Sequence, residues 1–333
     1  MLVLSLLMLS LSPSTHAAPG DLDPSFDPDG IAGFDLVDIP GFIGSPSAPD
    51  EARAVVTQPD GKVVVAGYAE NLGDDDFALL RYNPDGSLDP SFDFNGLVIT
   101  HFGGDEPSNE RINALARQPD GKLVAAGFTE LNGVFDLALA RYNVDGSLDG
   151  TFDGNGLRCC LFEGNDAARA VVVQPDGKLV VAGFTDEPGL DGVSDLDFAL
   201  SRYLPDGSLD ASFGVASSGS IIVRFLGFNP NEAGHALVQQ PDGRLVVAGF
   251  TDVGGSRDFA LVRLVPDGRE LDPSFFTTGA TRISFGTNVD QGNALVLQPD
   301  GRLVTAGFSN NGSESSFALV RLNPDGALDA SFG

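Results

Sequence analysis

Cysteine, histidine and basic residues are all scarce in this 333-residue chain, and each shortage closes a class of explanation. The two cysteines, Cys159 and Cys160, are adjacent, so no disulfide framework can hold the fold together. A bond between chain neighbours would demand a distorted peptide, and both are expected to be structural thiols. Of the three histidines, His16 falls in the N-terminal leader, and His101 and His235 sit at non-equivalent places of the sequence. Histidine-based metal clusters and Ser-His or Cys-His nucleophile systems need convergence that these positions do not offer. A solvated or packed role is expected for each. Nineteen Lys and Arg against 47 Asp and Glu leave a net charge of −28. A surface of that sign repels phosphate backbones and anionic membranes, which excludes nucleic-acid binding as a partner class. No later segment reaches transmembrane length; the one apolar run, Leu2–Leu11, is too short to span a bilayer. With the small and polar residues that follow, Met1–Ala17 reads as a signal peptide, although it lacks the usual basic start. The remaining 18–333 then forms one domain, secreted or held in the periplasm or cell envelope.

Glycine and proline, by contrast, are abundant: 42 and 21 residues, too much punctuation for helical bundles. Hydrophobic residues at 42%, including 24 Phe, still suffice for a core, so the composition points to a turn-rich all-β chain. The punctuation is periodic. Gln-Pro-Asp-Gly-(Lys/Arg) begins at Gln58, Gln118, Gln174, Gln240 and Gln298, and Leu-Asp-x-(Ser/Thr)-Phe begins at Leu22, Leu88, Leu148, Leu209, Leu271 and Leu328. The repeats so defined span about 22–87, 88–147, 148–208, 209–270 and 271–333. Each carries four strand-length runs, for example Leu157–Phe162, Ala168–Gln174, Lys178–Phe184 and Phe198–Tyr203. In Gln174-Pro175-Asp176-Gly177, Pro suits a φ near −65° and Gly a positive φ, which predicts a type I turn plus bulge closing a hairpin.

A four-stranded antiparallel sheet of about 60 residues cannot bury both faces alone, so consecutive copies must stack, and radial stacking gives a five-bladed β-propeller. The recurrent Ala-Gly pairs, such as Ala182-Gly183, suit close backbone approach near the axis of such a ring. A first apolar strand at Ile31–Val37 could complete the last blade and clasp the ring. These residues resemble a known family: Gln-Pro-Asp-Gly-Lys, Val-Val-Ala-Gly-(Phe/Tyr), Asp-Phe-Ala-Leu-x-Arg-Tyr-Asn and Asp-Gly-Ser-Leu-Asp-x-Ser-Phe are similar to the bacterial delta-60 repeat over roughly residues 22–333. The resemblance implies a propeller-like tandem array in exported or surface proteins, with no assigned activity and no catalytic residues. Leu137 and Ser316 depart from its Asp-Phe-Ala-Leu motif.

More than half of the 47 acidic residues fall at repeat positions, so the charge is partly a by-product of the repeat. Arg81, Arg141, Arg202, Arg263 and Arg321 follow Asp76, Asp136, Asp197, Asp258 and Ser316 by five residues. An odd spacing on a strand puts the two on opposite faces, so each Arg must find an acid on a neighbouring strand or blade. The most site-like set is Asp50, Glu110, Asp166, Glu232 and Asp290, each three residues before Arg53, Asn113, Arg169, His235 and Asn293. If that strand lines the axis, all ten form a polar ring at one channel mouth. Asp-Gly loops such as Asn143–Asp149 space oxygen donors as some Ca2+ sites do, yet turn chemistry alone explains them, and no cofactor is required. Three readings follow. The first is a non-enzymatic binding or scaffold module for a protein or polysaccharide partner. The others are a glycoside-processing enzyme using channel-mouth carboxylates and a calcium-stabilised surface repeat protein.

Overall fold

The computed structural model describes residues 25–26, 50–71, 73–102, 108–187, 195–224, 230–286 and 289–333. The expected signal segment 1–17 and the expected strand Ile31–Val37 lie outside the described residues. Nineteen strands and no helix occur among the described residues. The first sheet holds β1 (Glu51–Thr57), β2 (Val63–Asn71), β3 (Asp74–Tyr82) and β4 (Leu97–Thr100), and the second β5 (Asn109–Arg117), β6 (Leu123–Leu131), β7 (Val134–Tyr142) and β8 (Leu157–Cys159). The third holds β9 (Asp166–Val173), β10 (Leu179–Thr185), β11 (Asp197–Tyr203) and β12 (Ser220–Val223). The fourth holds β13 (Glu232–Gln239), β14 (Leu245–Thr251), β15 (Asp258–Leu264) and β16 (Ala280–Ile283), and the fifth β17 (Asp290–Leu297), β18 (Leu303–Asn310) and β19 (Ser315–Leu322). Strands pair antiparallel in chain order within each sheet, and the fourth strand always follows a Leu-Asp-x-(Ser/Thr)-Phe marker.

The hairpin turns form as their residues dictate. Gln174 donates its N–H to the Lys178 carbonyl at 2.8 Å, Gly177 donates to the Gln174 carbonyl at 2.9 Å, and Gly177 sits at φ 84°. This is the three-residue loop of a type I turn closed by a glycine bulge. A second bulge recurs in every first strand. In the third sheet, Ala182 pairs with Ala170 and Gly183 with Ala168, so Arg169 is the inserted residue. A Cβ at Gly183 would overlap the carbonyl oxygen of Ala167. The Ala-Gly pair therefore serves close backbone approach inside one sheet, opposite its own bulge, and the carbonyls of Gly183 and Gly249 also pass close to Gly234 and Gly292 of the next blade.

Successive sheets stack face to face. Phe77, Leu79 and Val64 of the first sheet bury against Ile112, Leu123, Ala140 and Tyr142 of the second. The same layers join sheets two and three, three and four, and four and five. Each large side chain so buried contributes about 1.5–3 kcal/mol. The first strands lie beside one another in the order β1, β5, β9, β13 and β17, which makes them the axial strands of a five-bladed propeller. Among the described residues the outer faces of sheets five and one do not meet: Phe317 is 98% exposed where Phe77, Phe198 and Phe259 are fully buried.

Candidate functional site

The repeated arginines are structural, and their partners account for the sequence motif. Arg81 Nε lies 2.6 Å from Asp89 Oδ2, its Nη2 donates to Ser91 Oγ at 3.0 Å, and its guanidinium stacks on Phe92. Its Nη1 crosses to the next blade and donates to the Val144 carbonyl at 2.5 Å. Arg141, Arg202 and Arg263 repeat this, reaching the carbonyls of Pro205, Pro266 and Pro324. Arg321 pairs with Asp329 at 2.7 Å, and no carbonyl of another blade meets it among the described residues. Lys62 of the Gln-Pro-Asp-Gly-Lys turn also reaches Asp89 Oδ2 at 2.7 Å. Burial pushes the Asp89 carboxyl up, but Lys62, Ser91 and Arg81 together hold it well below the usual range.

The ten residues expected in a single ring divide into two sets. Glu110, Asp166, Glu232 and Asp290 are at most 1% exposed and point between blades; Asp50 alone stays exposed. A carboxylate near the start of the preceding blade's third strand joins each interface: Asp76, Asp136, Asp197 and Asp258. The cation supplied differs. His101 Nδ1 lies 3.0 Å from Asp76 and 3.1 Å from Glu110 in the first interface. Arg224 reaches Asp197 at 2.7 Å in the third, and Arg282 reaches Asp258 at 3.3 Å in the fourth. The second interface has no such cation among the described residues: Asp166 Oδ1 accepts the Leu137 N–H, while its Oδ2 is buried without a hydrogen-bond partner. Burial pushes Asp166 up to about 7, with the charge of Asp136 adding to the effect. Glu110 likewise rises to about 7 through burial, although Ser108 and His101 oppose it. His101 is held above its ordinary value: burial lowers it, but Glu110 and Asp76 outweigh that. Asp76, His101 and Glu110 place three ligand-capable atoms within 4.8 Å of one another; His101 bonds both acids, Ser108 and Thr129 donate to Glu110, and Asn71 donates to Asp76.

The other five residues are the bulge residues, and they follow one another around the axis. Arg53 Nη1 donates to Asn113 Oδ1 at 2.8 Å, and Asn113 Nδ2 donates to the Ala168 carbonyl at 2.8 Å. His235 Nδ1 lies 3.2 Å from the Gly292 carbonyl and 3.2 Å from Asn293 Oδ1. Arg169 sits between these pairs. Its guanidinium lies over the Phe184 ring, its Nε is buried, and no hydrogen bond or ion pair reaches it among the described residues. Burial and then the charge of Arg53 lower its proton affinity. Burial and the charge of Arg169 bring His235 down to about 4, so it is neutral at pH 7. The axial set is thus rich in hydrogen-bond donors, and the acids expected beside it lie elsewhere. The bulge is what parts the two sets, because it turns the inserted residue out of the alternation that buries the acid.

The Asp-Gly loop carboxylates are engaged by their own turns: Asp145 Oδ1 accepts from Ser147 N and Oγ at 3.1 and 2.7 Å, and Asp149 takes Lys122 and Arg141 at 2.7 Å each. Cys159 and Cys160 correct the expectation of free thiols, since they are joined in a vicinal disulfide. The chain accommodates it where β8 ends, with Cys160 in the left-handed region at φ 65°.

Three kinds of relative bear on the chain. Among curated proteins, none matches it. Solved structures that it resembles include a thermostable family-43 glycoside hydrolase (12% identity, 83% of this chain and 90% of that one, TM-score 0.45) and an endo-arabinase from Bacteroides thetaiotaomicron (9%, 84% and 95%, 0.45). A third is Sqt1 from Chaetomium thermophilum bound to the N-terminus of ribosomal protein L10 (16%, 84% and 73%, 0.44). Likenesses this distant carry no argument about function. The sequence profile described as "Domain of unknown function (DUF5122) beta-propeller" matches residues 58–92, 118–152, 174–213, 240–275 and 298–332, more than half of the chain. Its five matches run from the hairpin turn to the marker Phe, the segment that the Arg81-type latch ties together, and the chain belongs to this DUF5122 beta-propeller family.

Proposed function

We propose that the chain is an exported, non-enzymatic propeller of delta-60-type repeats that binds a protein or polysaccharide partner in the periplasm, the envelope or the medium. One observation carries this reading: the residues facing the axis, Arg53, Asn113, Arg169, His235 and Asn293, can hold a ligand, and Glu51, the carboxylate that meets them among the described residues, is taken up by Arg53. General acid–base chemistry on a sugar needs two carboxyl groups in reach of the substrate. Asp76 and Glu110, which share His101, would be the candidate pair for such work, but both are buried. The test is a screen of the mature chain against arrays of envelope glycans and envelope proteins, with glycoside hydrolysis assayed on every glycan retained. Saturable binding without turnover supports the reading. Turnover that survives purification and disappears in Glu110→Gln overturns it.

A further inference from the structure

Arg169 is the anomaly of the axis. In a chain with 47 acidic residues, its side chain is half-buried, no ion pair reaches it, and its buried Nε has no acceptor among the described residues. The fully buried arginines, Arg81, Arg141, Arg202 and Arg263, each hold a marker Asp within 2.9 Å. Burying part of a guanidinium unpaired costs stability unless something compensates it. Its charged neighbours add to the cost. Arg53 is close enough to lower its proton affinity, and Arg169 in turn lowers that of His235. Glu51, the acid that pairs with Arg53, is half exposed and lies 3.2 Å from it. Arg111 is neutralised by Asp75 at 2.6 Å, and Arg257 donates to Gln291 at 3.1 Å.

The geometry points to an anion site on the axis, in which Arg169, flanked by Arg53 and His235, takes the carboxylate of a sugar acid. This deepens the binding role proposed above and rests on it. The guanidinium fork matches a carboxylate in plane and in donor spacing. Around it Asn113, His235, Asn293 and Gln291 supply neutral donors and acceptors of the kind that sugar hydroxyls need. The rings of Phe184 and Phe250 each have one face under a guanidinium, of Arg169 and Arg257, which leaves less apolar surface here for peptide side chains. A carboxylate here would also favour protonation of His235, so affinity should rise as pH falls towards 4, until the ligand itself takes up a proton.

The experiment is calorimetric titration of the mature chain with D-galacturonate, D-galactose, N-acetyl-aspartate and inorganic phosphate, with thermal melts of the same mixtures. Galacturonate is expected to bind and raise the melting temperature, and galactose to do neither. Arg169→Gln should weaken galacturonate at least about tenfold, the loss of one charge-assisted hydrogen bond. Without ligand it should melt no lower than the parent, because the stacking on Phe184 that is lost is offset by removal of a charge that no acid pairs among the described residues. A lower melting temperature for ligand-free Arg169→Gln would mark Arg169 as structural and overturn the proposal. Arg53→Gln serves as the second variant and should weaken galacturonate without unfolding the chain. Equal affinity for galactose, tighter binding of N-acetyl-aspartate or phosphate, or no binding of galacturonate would each overturn it. Glycan or protein binding that persists undiminished in Arg169→Gln would remove the axial site while leaving the binding role standing.

Discussion

Replacing Arg202 by Met probes the latch between blades with little change in side-chain volume. Arg202 is 7% exposed, holds Asp210 at 2.8 Å, and donates to Ser212 Oγ at 3.1 Å and across the interface to the Pro266 carbonyl at 3.0 Å. Breaking a buried pair by removing one partner costs about 3–5 kcal/mol, because the remaining charge is left uncompensated. Lys178 still reaches Asp210 at 3.1 Å, which places the expected loss at the lower end, about 3–4 kcal/mol once the lost carbonyl contact is included. At about 2–4 °C per kcal/mol for a large domain, the melting temperature should fall by roughly 6–16 °C. Differential scanning calorimetry reads this directly. Two controls frame it. Arg269→Met removes a pair whose side chains are 63% and 48% exposed, and it should cost under about 1 kcal/mol. Arg321→Met removes a marker pair that lacks a carbonyl from another blade among the described residues, and it should cost less than Arg202→Met. If Arg202→Met melts with Arg269→Met, the latch contributes nothing and the reasoning about the motif fails.

Stability should also depend on pH in a direction unusual for an acidic protein. Glu110 and Asp166, both held near 7 in the folded state, bind protons that the unfolded chain releases above its ordinary carboxylate pKa, so stability falls as pH rises from about 4.5 to 7 and levels off beyond. His101, raised by Glu110 and Asp76, adds stability below its ordinary pKa that is lost on the alkaline side. Thermal melts from pH 4.5 to 8 should show the decline, and Glu110→Gln should flatten it while melting higher than the parent at pH 8. A parent profile that instead rises through this range would contradict the burial of these acids. Thiol labelling of the denatured, unreduced chain should find no reactive cysteine until a reductant is added; two reactive thiols at the outset would rule out the Cys159–Cys160 bond. Chelation should leave the melting temperature unchanged, because the Asp-Gly carboxylates are saturated by Ser, Lys and Arg donors. A fall on adding chelator would restore the calcium reading.

The repeat, its hairpin turns and the stacking of sheets were legible because each follows from local chemistry: Pro and Gly fix the turn, and alternation fixes the buried face. Opposite faces for Asp76 and Arg81 were legible for the same reason, and the structure sends Asp76 to His101 and Glu110 and Arg81 to Asp89. The site was half legible. The ten residues are indeed polar groups at the start of the axial strand, but a bulge interrupts the alternation and sends Glu110 between blades and Asn113 to the axis. The signal for that bulge was present in the Ala-Gly pair, since only glycine fits opposite it. What the sequence could not carry was the isolation of Arg169, which depends on three strands from different repeats and on the lack of a carboxylate among them. The Cys159–Cys160 bond also escaped, because it requires a backbone turn at Cys160 that a strand-like pattern conceals.

A crystal structure of the chain, resolved well enough to place guanidinium groups, tests the central claim most directly. It should show Arg53, Asn113, Arg169, His235 and Asn293 gathered on the axis, with Glu110, Asp166, Glu232 and Asp290 shut between blades. Carboxylates lining the axis, with Arg169 paired to one of them, would contradict it.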